Sequence, residues 1–177
     1  MEEKTVKSTL VYQGRILDVY EDEVIVSNGN EAKRVVIKHN GAAAILPITK
    51  EGLIVLTRQY RYPLKQITLE IPAGKLDSVD EASFDCAKRE LEEETSFQSN
   101  DITFMLKIHN AVGYSNEFID IYLARDCFVV EDALEADEDE VLENVIVSVE
   151  EALDLIESGK ITDVKTIVAI YQYMRGK

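Results

Sequence analysis

Residues Gly74–Phe97 read GKLDSVDEASFDCAKRELEEETSF. A glycine opens the stretch, small and acidic residues follow, and Arg89-Glu90-Leu91-Glu92-Glu93-Glu94 forms an acid-rich run. At about 100° per residue, Phe84, Ala87, Leu91 and Thr95 share one stripe of a helix, which is expected to be buried. Glu90, Glu93 and Glu94 stand at i, i+3 and i+4, on one face beside that stripe. Glu92 falls on the opposite side and reads as solvated. Ser78-Val79-Asp80-Glu81 has capping-box spacing. Upstream, Gln66 to Ile71 is a strand-like apolar run that leads into a loop at Pro72-Ala73-Gly74. The unit is therefore strand, loop, helix.

Three neighbouring carboxylates repel one another unless a cation neutralises them or some take up protons. Ligands that are all oxygen favour Mg²⁺, Mn²⁺ or Ca²⁺ over zinc. The competing reading is a solvated acidic helix face in a chain already rich in Glu. The separated Gly, Glu and Arg positions around the run favour the metal.

The 177 residues suffice for one sizeable core, or one core with a small appendage. With 19 Lys plus Arg against 34 Asp plus Glu, the formal charge is −15. Such a surface repels nucleic-acid backbones and anionic membranes, so neither is expected as a partner. Cys86 and Cys127 are the only cysteines and read as two buried thiols. No apolar run reaches membrane-spanning length, and Met-Glu-Glu-Lys opens no signal peptide, so a soluble cytoplasmic protein is expected. His39 and His109 stand alone and read as structural or surface residues.

Residues 1 to about 40 are strand-like at Thr9–Tyr12, Ile16–Val26 and Ala32–Lys38, with a hairpin turn at Asn28-Gly29. Further strands are expected at Ala42–Ile48, Leu53–Tyr60, Gln66–Ile71, Ile102–His109, Phe118–Ala124 and Asn144–Val147. Ser148-Val149-Glu150-Glu151 is a second capping box, opening a helix that Gly159 closes. Asp163–Met174 reads as a last helix with its apolar face at Val164, Ile167, Val168 and Tyr171. Many strands with few helices suggest an α/β protein, a mixed sheet covered by helices on both sides.

The pattern of Gly, Glu, seven residues, then Arg-Glu, an apolar residue, any residue and Glu-Glu resembles the Nudix box, with Leu91 and Phe97 in its apolar slots. Six residues separate Gly74 from Glu81 where the family has five. Asp80 would restore that spacing but stands eight residues before Arg89; a one-residue loop insertion with Glu81 retained is the better fit. Ser96 replaces the Gly that ends the family's helix. Arg58-Gln59-Tyr60-Arg61-Tyr62-Pro63, Glu70-Ile71-Pro72-Ala73-Gly74 and Ile161-Thr162-Asp163-Val164-Lys165-Thr166 resemble the ADP-ribose pyrophosphatase branch. The resemblance implies an α/β/α sandwich at 41–177, preceded by a small antiparallel β-sheet domain at 1–40 that exchanges across a two-fold homodimer.

The resemblance also implies roles. Glu90 and Glu94 bind metal directly, Glu93 binds a metal or orients its waters, and the Ala73 carbonyl is a backbone ligand. Arg89 and Glu81 pair to hold the loop on the helix, with Gly74 at its start; the alternative for that pair is an ordinary surface salt bridge. A catalytic base comes from the loop before the last strand, where Glu138 is nominated and Glu140 stands second; the alternative is a solvated acidic loop. Arg58 and Arg61 supply cationic charge for a diphosphate; the alternative is ordinary surface charge on a strand or turn. Tyr60, Tyr62 and Tyr114 are stacking surfaces for adenine or core residues. In the loop Asn110–Glu117, Gly113 and Glu117 keep their places, while prolines common among ADP-ribose-cleaving relatives are absent. The expected function is Mg²⁺-dependent hydrolysis, with Mn²⁺ as a substitute, of the pyrophosphate bond of a nucleoside diphosphate sugar, ADP-ribose first among them. The competitors are a catalytically silent nucleotide-sugar sensor and an acidic cation buffer.

Overall fold

The computed structural model describes residues 1–78, 80–134 and 141–176. Runs of β-branched residues build β1 (Lys4–Gln13), β2 (Asp18–Ile25) and β3 (Glu31–Lys38), an antiparallel sheet in that order. Gly29, at φ 88°, makes the turn between β2 and β3, a conformation that glycine adopts without a steric penalty. Contacts divide the chain into two compact units, Met1–Gly41 with His109–Phe118, and Ala42–Ile108 with Ile119–Lys177. In the first unit, segment 109–118 returns to β3: the Ile37 amide donates to the Tyr114 carbonyl at 2.7 Å.

The second unit is an eight-stranded mixed sheet. Its strands are β4 (Ala42–Thr49), β5 (Ile54–Arg61), β6 (Gln66–Glu70), β7 (Ala73–Lys75), β8 (Phe97–Gln98), β9 (Asp101–Ile108), β10 (Ile119–Val129) and β11 (Glu143–Val147). β4 runs parallel to β10 and antiparallel to β5 and β7; β5 also pairs with β6 and β11. Every residue of β4 is buried, as a strand covered on both faces must be. Ala42, Ala44, Leu46 and Ile48 share a core with Val149 and Ala152 of α2 (Val149–Glu157) and Ala169 and Ile170 of α3 (Val164–Arg175). Ala43 and Ile45 alternate to the other face. There α1 (Ser83–Thr95) packs on β4, with Cys86, Ala87 and Leu91 buried. The sheet therefore carries helices on both faces.

Several local expectations change. Ala73–Lys75 is a strand, not a loop, because it finds β4 as a partner. Ser78–Glu81 is not a capping box: α1 begins at Ser83, its N-cap Ala82 offers no side-chain bond, and Glu81 instead accepts the Asp77 amide at 2.6 Å. Phe84 is 43% exposed and meets Tyr122 edge-on at 5.8 Å. Glu92 is half-buried, bonding Gln98 and the Leu134 amide, rather than solvated. The second box does form, with Ser148 and Glu151 capping each other's backbone. In α3 the inward residues are Lys165, Thr166, Ala169 and Ile170, while Val164 and Tyr171 are exposed. Ile167 packs on the core as expected, but apolar periodicity misplaces Val164 and Tyr171 because a lysine and a threonine have buried partners. Among the described residues, no helix is long and apolar enough to cross a membrane.

Candidate active site

The backbone before α1 is pinned at successive residues. The Ile71 amide donates to Thr166 Oγ1 at 2.8 Å, and the Pro72 carbonyl accepts from the Ile45 amide at 2.9 Å. Ala73 and Gly74 then register with Ala44 and Ala43. This strand delivers Gly74 against α1. A β-carbon at Gly74 would lie 1.9 Å from Glu90 Oε1 and 2.2 Å from its carboxyl carbon. The glycine leaves the space that the carboxylate fills.

Glu90 and Glu94 are 8% and 7% exposed, one helical turn apart, and Glu93 is half-buried beside them. Arg89 donates to Glu90 Oε1 and to Glu93 Oε2, each at 2.7 Å, and stands 3.6 Å from Glu81. Burial alone would lower the pKa of Arg89; the Glu90 charge and the Glu93 hydrogen bond outweigh it and raise it. Among the described residues no group of three or more His, Cys, Asp or Glu is already arranged around a cation position. The guanidinium of Arg89 takes the neutralising place between Glu90 and Glu93. The donor set still fits a divalent cation: the carboxylate oxygens of Glu90 and Glu94 are hard ligands, and Gly74 leaves the space that Glu90 occupies. Cys86 lies 3.5 Å from the Lys75 carbonyl, and burial, then the Glu90 charge, push its thiol up to about 12. It is a neutral thiol, not a soft metal ligand. Cys127 is buried as well.

Arg61 and Arg58 part company. Alternation along β5 sends residues of odd and even number to opposite faces. Arg58 pairs with Glu143 across β11 in an exposed contact. Arg61 forms a bidentate pair with Glu70, both bonds at 2.7 Å, and the charges of Glu94 and Asp163 help to hold it protonated. Arg61 thus shares the electrostatic surroundings of α1. It lines a cavity of about 450 Å³ with Pro63, Thr68, Glu70, Asp163 and Lys165.

Glu70, Asp163, Lys165 and Thr166 escaped individual notice in the sequence. Glu70 is 3% exposed and also accepts from Thr68 Oγ1 at 2.7 Å and Lys165 Nζ at 2.5 Å. Burial pushes its pKa up, but hydrogen bonds and charge from Arg61 and Lys165 hold it down at about 2. The available signal was a carboxylate in an otherwise apolar strand, two residues before Pro72-Ala73-Gly74.

Tyr60, Tyr62 and Tyr114 are all more than half exposed, which removes core packing as their role. Glu117 belongs to the first unit and takes a 3.3 Å hydrogen bond from Asn110. Glu138 and Glu140 lie outside the described residues.

Comparison with known proteins matches the NUDIX domain over residues 38–167 and the nucleoside diphosphate sugar hydrolase N-terminal domain over residues 3–37. An ADP-ribose pyrophosphatase of Bacillus subtilis (strain 168) is 40% identical over all of this chain and 95% of that protein. A methanol dehydrogenase activator of Bacillus methanolicus is 37% identical over 98% of this chain and 93% of that protein. The crystal structure of an ADP compounds hydrolase superposes with a TM-score of 0.86 at 25% identity, covering 99% of this chain and 94% of the other.

Proposed function

This chain belongs to the Nudix family and is a hydrolase of nucleoside diphosphate derivatives; from that premise we propose that it splits ADP-ribose into AMP and ribose 5-phosphate with Mg²⁺, Mn²⁺ substituting. The observation that carries this reading is the pair of buried carboxylates, Glu90 and Glu94, beside the Gly74 cradle and within electrostatic reach of Arg61.

Glu90, Glu94 and the Ala73 carbonyl hold the cation in this reading, with Glu93 as a further ligand or an orienter of its waters. When bound, such an ion neutralises phosphate charge and makes a water more acidic. Arg89 and Glu81 keep the loop on α1. Arg61 presents a planar donor set to the diphosphate, which suits bidentate binding of phosphate oxygens. Arg58 is the second cationic candidate. Water attacks one phosphorus, the bond to the bridging oxygen breaks, and Glu138 accepts the water's proton, with Glu140 second in line. Tyr60 offers an exposed ring for the base.

The N-terminal sheet exposes Val6, Val11, Tyr12 and Val35, which supports a homodimer formed through these strands. Two buried thiols suit a reducing compartment, the cytoplasm.

A panel of nucleoside diphosphate sugars and dinucleotides, each incubated with the protein and Mg²⁺, tests the substrate. ADP-ribose is expected to give the highest kcat/KM. Preference for another nucleoside diphosphate sugar would replace the substrate and keep the class. Binding of every compound without cleavage would mark a silent sensor.

A further inference from the structure

The segment Ile161–Thr166 has no part in the chemistry described above, yet its side chains run back to the site. Lys165 is only 6% exposed; its ammonium donates to Glu70 Oε2 at 2.5 Å and stands 3.1 Å from Asp163 Oδ1. Asp163 caps α3, accepting the Thr166 amide at 3.0 Å and the Thr166 hydroxyl at 2.6 Å. Thr166, fully buried, accepts the Ile71 amide on that same oxygen at 2.8 Å.

Two arms therefore leave one helical turn. The first runs from Lys165 through Glu70 to the guanidinium of Arg61. The second runs from Asp163 through Thr166 to Ile71, which enters Pro72-Ala73-Gly74 and the cradle of Glu90. Stability does not by itself account for the first arm, since apolar residues of similar volume often replace a buried ion pair without loss. Charge-assisted, bidentate bonds supply direction instead. The second arm satisfies a buried backbone amide that would otherwise have no partner at that place. Both arms end on groups that must be held in place for metal and phosphate to be bound.

We propose that the first turn of α3 is a positioning element of the hydrolytic site: Lys165 fixes Glu70 and through it Arg61, and Thr166 fixes the backbone that carries the Ala73–Gly74 cradle. Glu70, Lys165 and Thr166 are positioning residues, not catalytic ones. The inference rests on the reading that Arg61 meets the diphosphate and that the Glu90 face binds the cation.

The test uses the whole protein and two independent readouts. Mn²⁺ binding without substrate is followed by electron paramagnetic resonance, and KM and kcat for ADP-ribose are measured at saturating Mn²⁺. Thr166→Val keeps the shape and removes the hydroxyl; it is expected to weaken Mn²⁺ binding by about 10-fold, the scale for lost outer-shell support. Thr166→Ser restores the oxygen and is expected to restore the affinity. Glu70→Gln is expected to leave Mn²⁺ affinity within about twofold while raising KM about 10-fold. Lys165→Met, which removes the ammonium that fixes Glu70, is expected to raise KM likewise; should it fail to fold, the other three variants still decide. Wild-type Mn²⁺ affinity in Thr166→Val, or wild-type KM in Glu70→Gln, overturns the inference. A wild-type protein that binds no Mn²⁺ and cleaves nothing overturns the functional reading and this inference together. A wild-type protein that does both, with variants that match it, overturns the inference alone.

Discussion

Gly74 and Glu90 share one space: a β-carbon on the glycine would stand 1.9 Å from the carboxylate oxygen. The glycine of the motif is thus a steric requirement of the helix face opposite it. Gly74→Ala must push the Glu90 carboxylate aside. Because that carboxylate ends a flexible side chain, the fold is expected to survive and the divalent-ion affinity to fall by about 10- to 100-fold. Mn²⁺ titration beside a circular dichroism spectrum checks this; a folded variant with unchanged affinity contradicts it.

Arg61→Ala is expected to raise KM for the diphosphate substrate by about 10-fold or more, the scale of a lost charge-assisted contact. Lys165 remains to neutralise Glu70, so the protein should stay folded. Arg58→Ala is the informative companion, because Arg58 lies on the other face of β5 and pairs with Glu143. A KM effect in both would keep both arginines at the substrate. An effect in neither would make them surface residues.

The shared face of Glu90, Glu93 and Glu94 on α1 was legible because its evidence is local. Residues three and four apart on a helix share a face whatever the rest of the chain does. The Arg61–Glu70 pair was not legible in the same way. It depends on the register of β5 with β6, where Arg61 faces Gln66 and Thr57 faces Glu70, and on α3 arriving from a distant part of the chain. Apolar counting also placed Val164 and Tyr171 of α3 inward, though Ile167 does pack on the core, since it treats Lys165 as an outward residue. Ser78–Glu81 shows a further limit: box spacing there serves a turn ahead of the helix, while the same spacing at Ser148–Glu151 makes a true cap. The fold class and its two covered faces were readable from many strand-like runs interleaved with few helical ones.

Ser96 ends α1 in the left-handed region, at φ 60° and ψ 20°, with its amide bonded to the Glu92 carbonyl at 2.8 Å. A side chain there costs about 1–2 kcal/mol, and glycine avoids that cost while losing more entropy on folding. Ser96→Gly is therefore expected to stabilise the protein by about 0.5–1 kcal/mol, roughly 2 °C in Tm for a chain of this size. Differential scanning calorimetry reads the shift; a lower Tm would show that the serine makes a compensating contribution.

Glu70 ties stability to acid. Its pKa falls from the usual 4.5 to about 2 on folding. A depressed carboxylate adds stability above its unfolded value and loses it as pH falls through the folded one. The loss should run from about pH 5 down to about pH 2, with a size of order 3 kcal/mol. Urea unfolding across that range is expected to show a shallower pH dependence in Glu70→Gln than in the wild type. Equal slopes would mean that other carboxylates dominate acid unfolding.

Glu138→Gln is expected to lower kcat by about two orders of magnitude or more, the scale for a positioned base, while Mn²⁺ binding persists. Glu140→Gln should do less. Single-turnover kinetics at saturating Mg²⁺ and ADP-ribose separates the two. The reverse order would move the base by two residues, and no effect in either would leave proton removal to a residue of α1 such as Glu93.

If the Glu90 and Glu94 face of α1 drives cleavage of a pyrophosphate bond, removing either charge must slow that cleavage. ³¹P NMR of ADP-ribose with Mg²⁺ tests it most directly, in wild-type protein and in Glu90→Gln and Glu94→Gln. The diphosphate signals are expected to give way to two phosphomonoester signals with the wild type, and to persist with both folded variants at least ~100-fold longer, the loss seen when a key transition-state contact is removed. Near wild-type conversion by both variants, or an intact diphosphate in every sample, would contradict it.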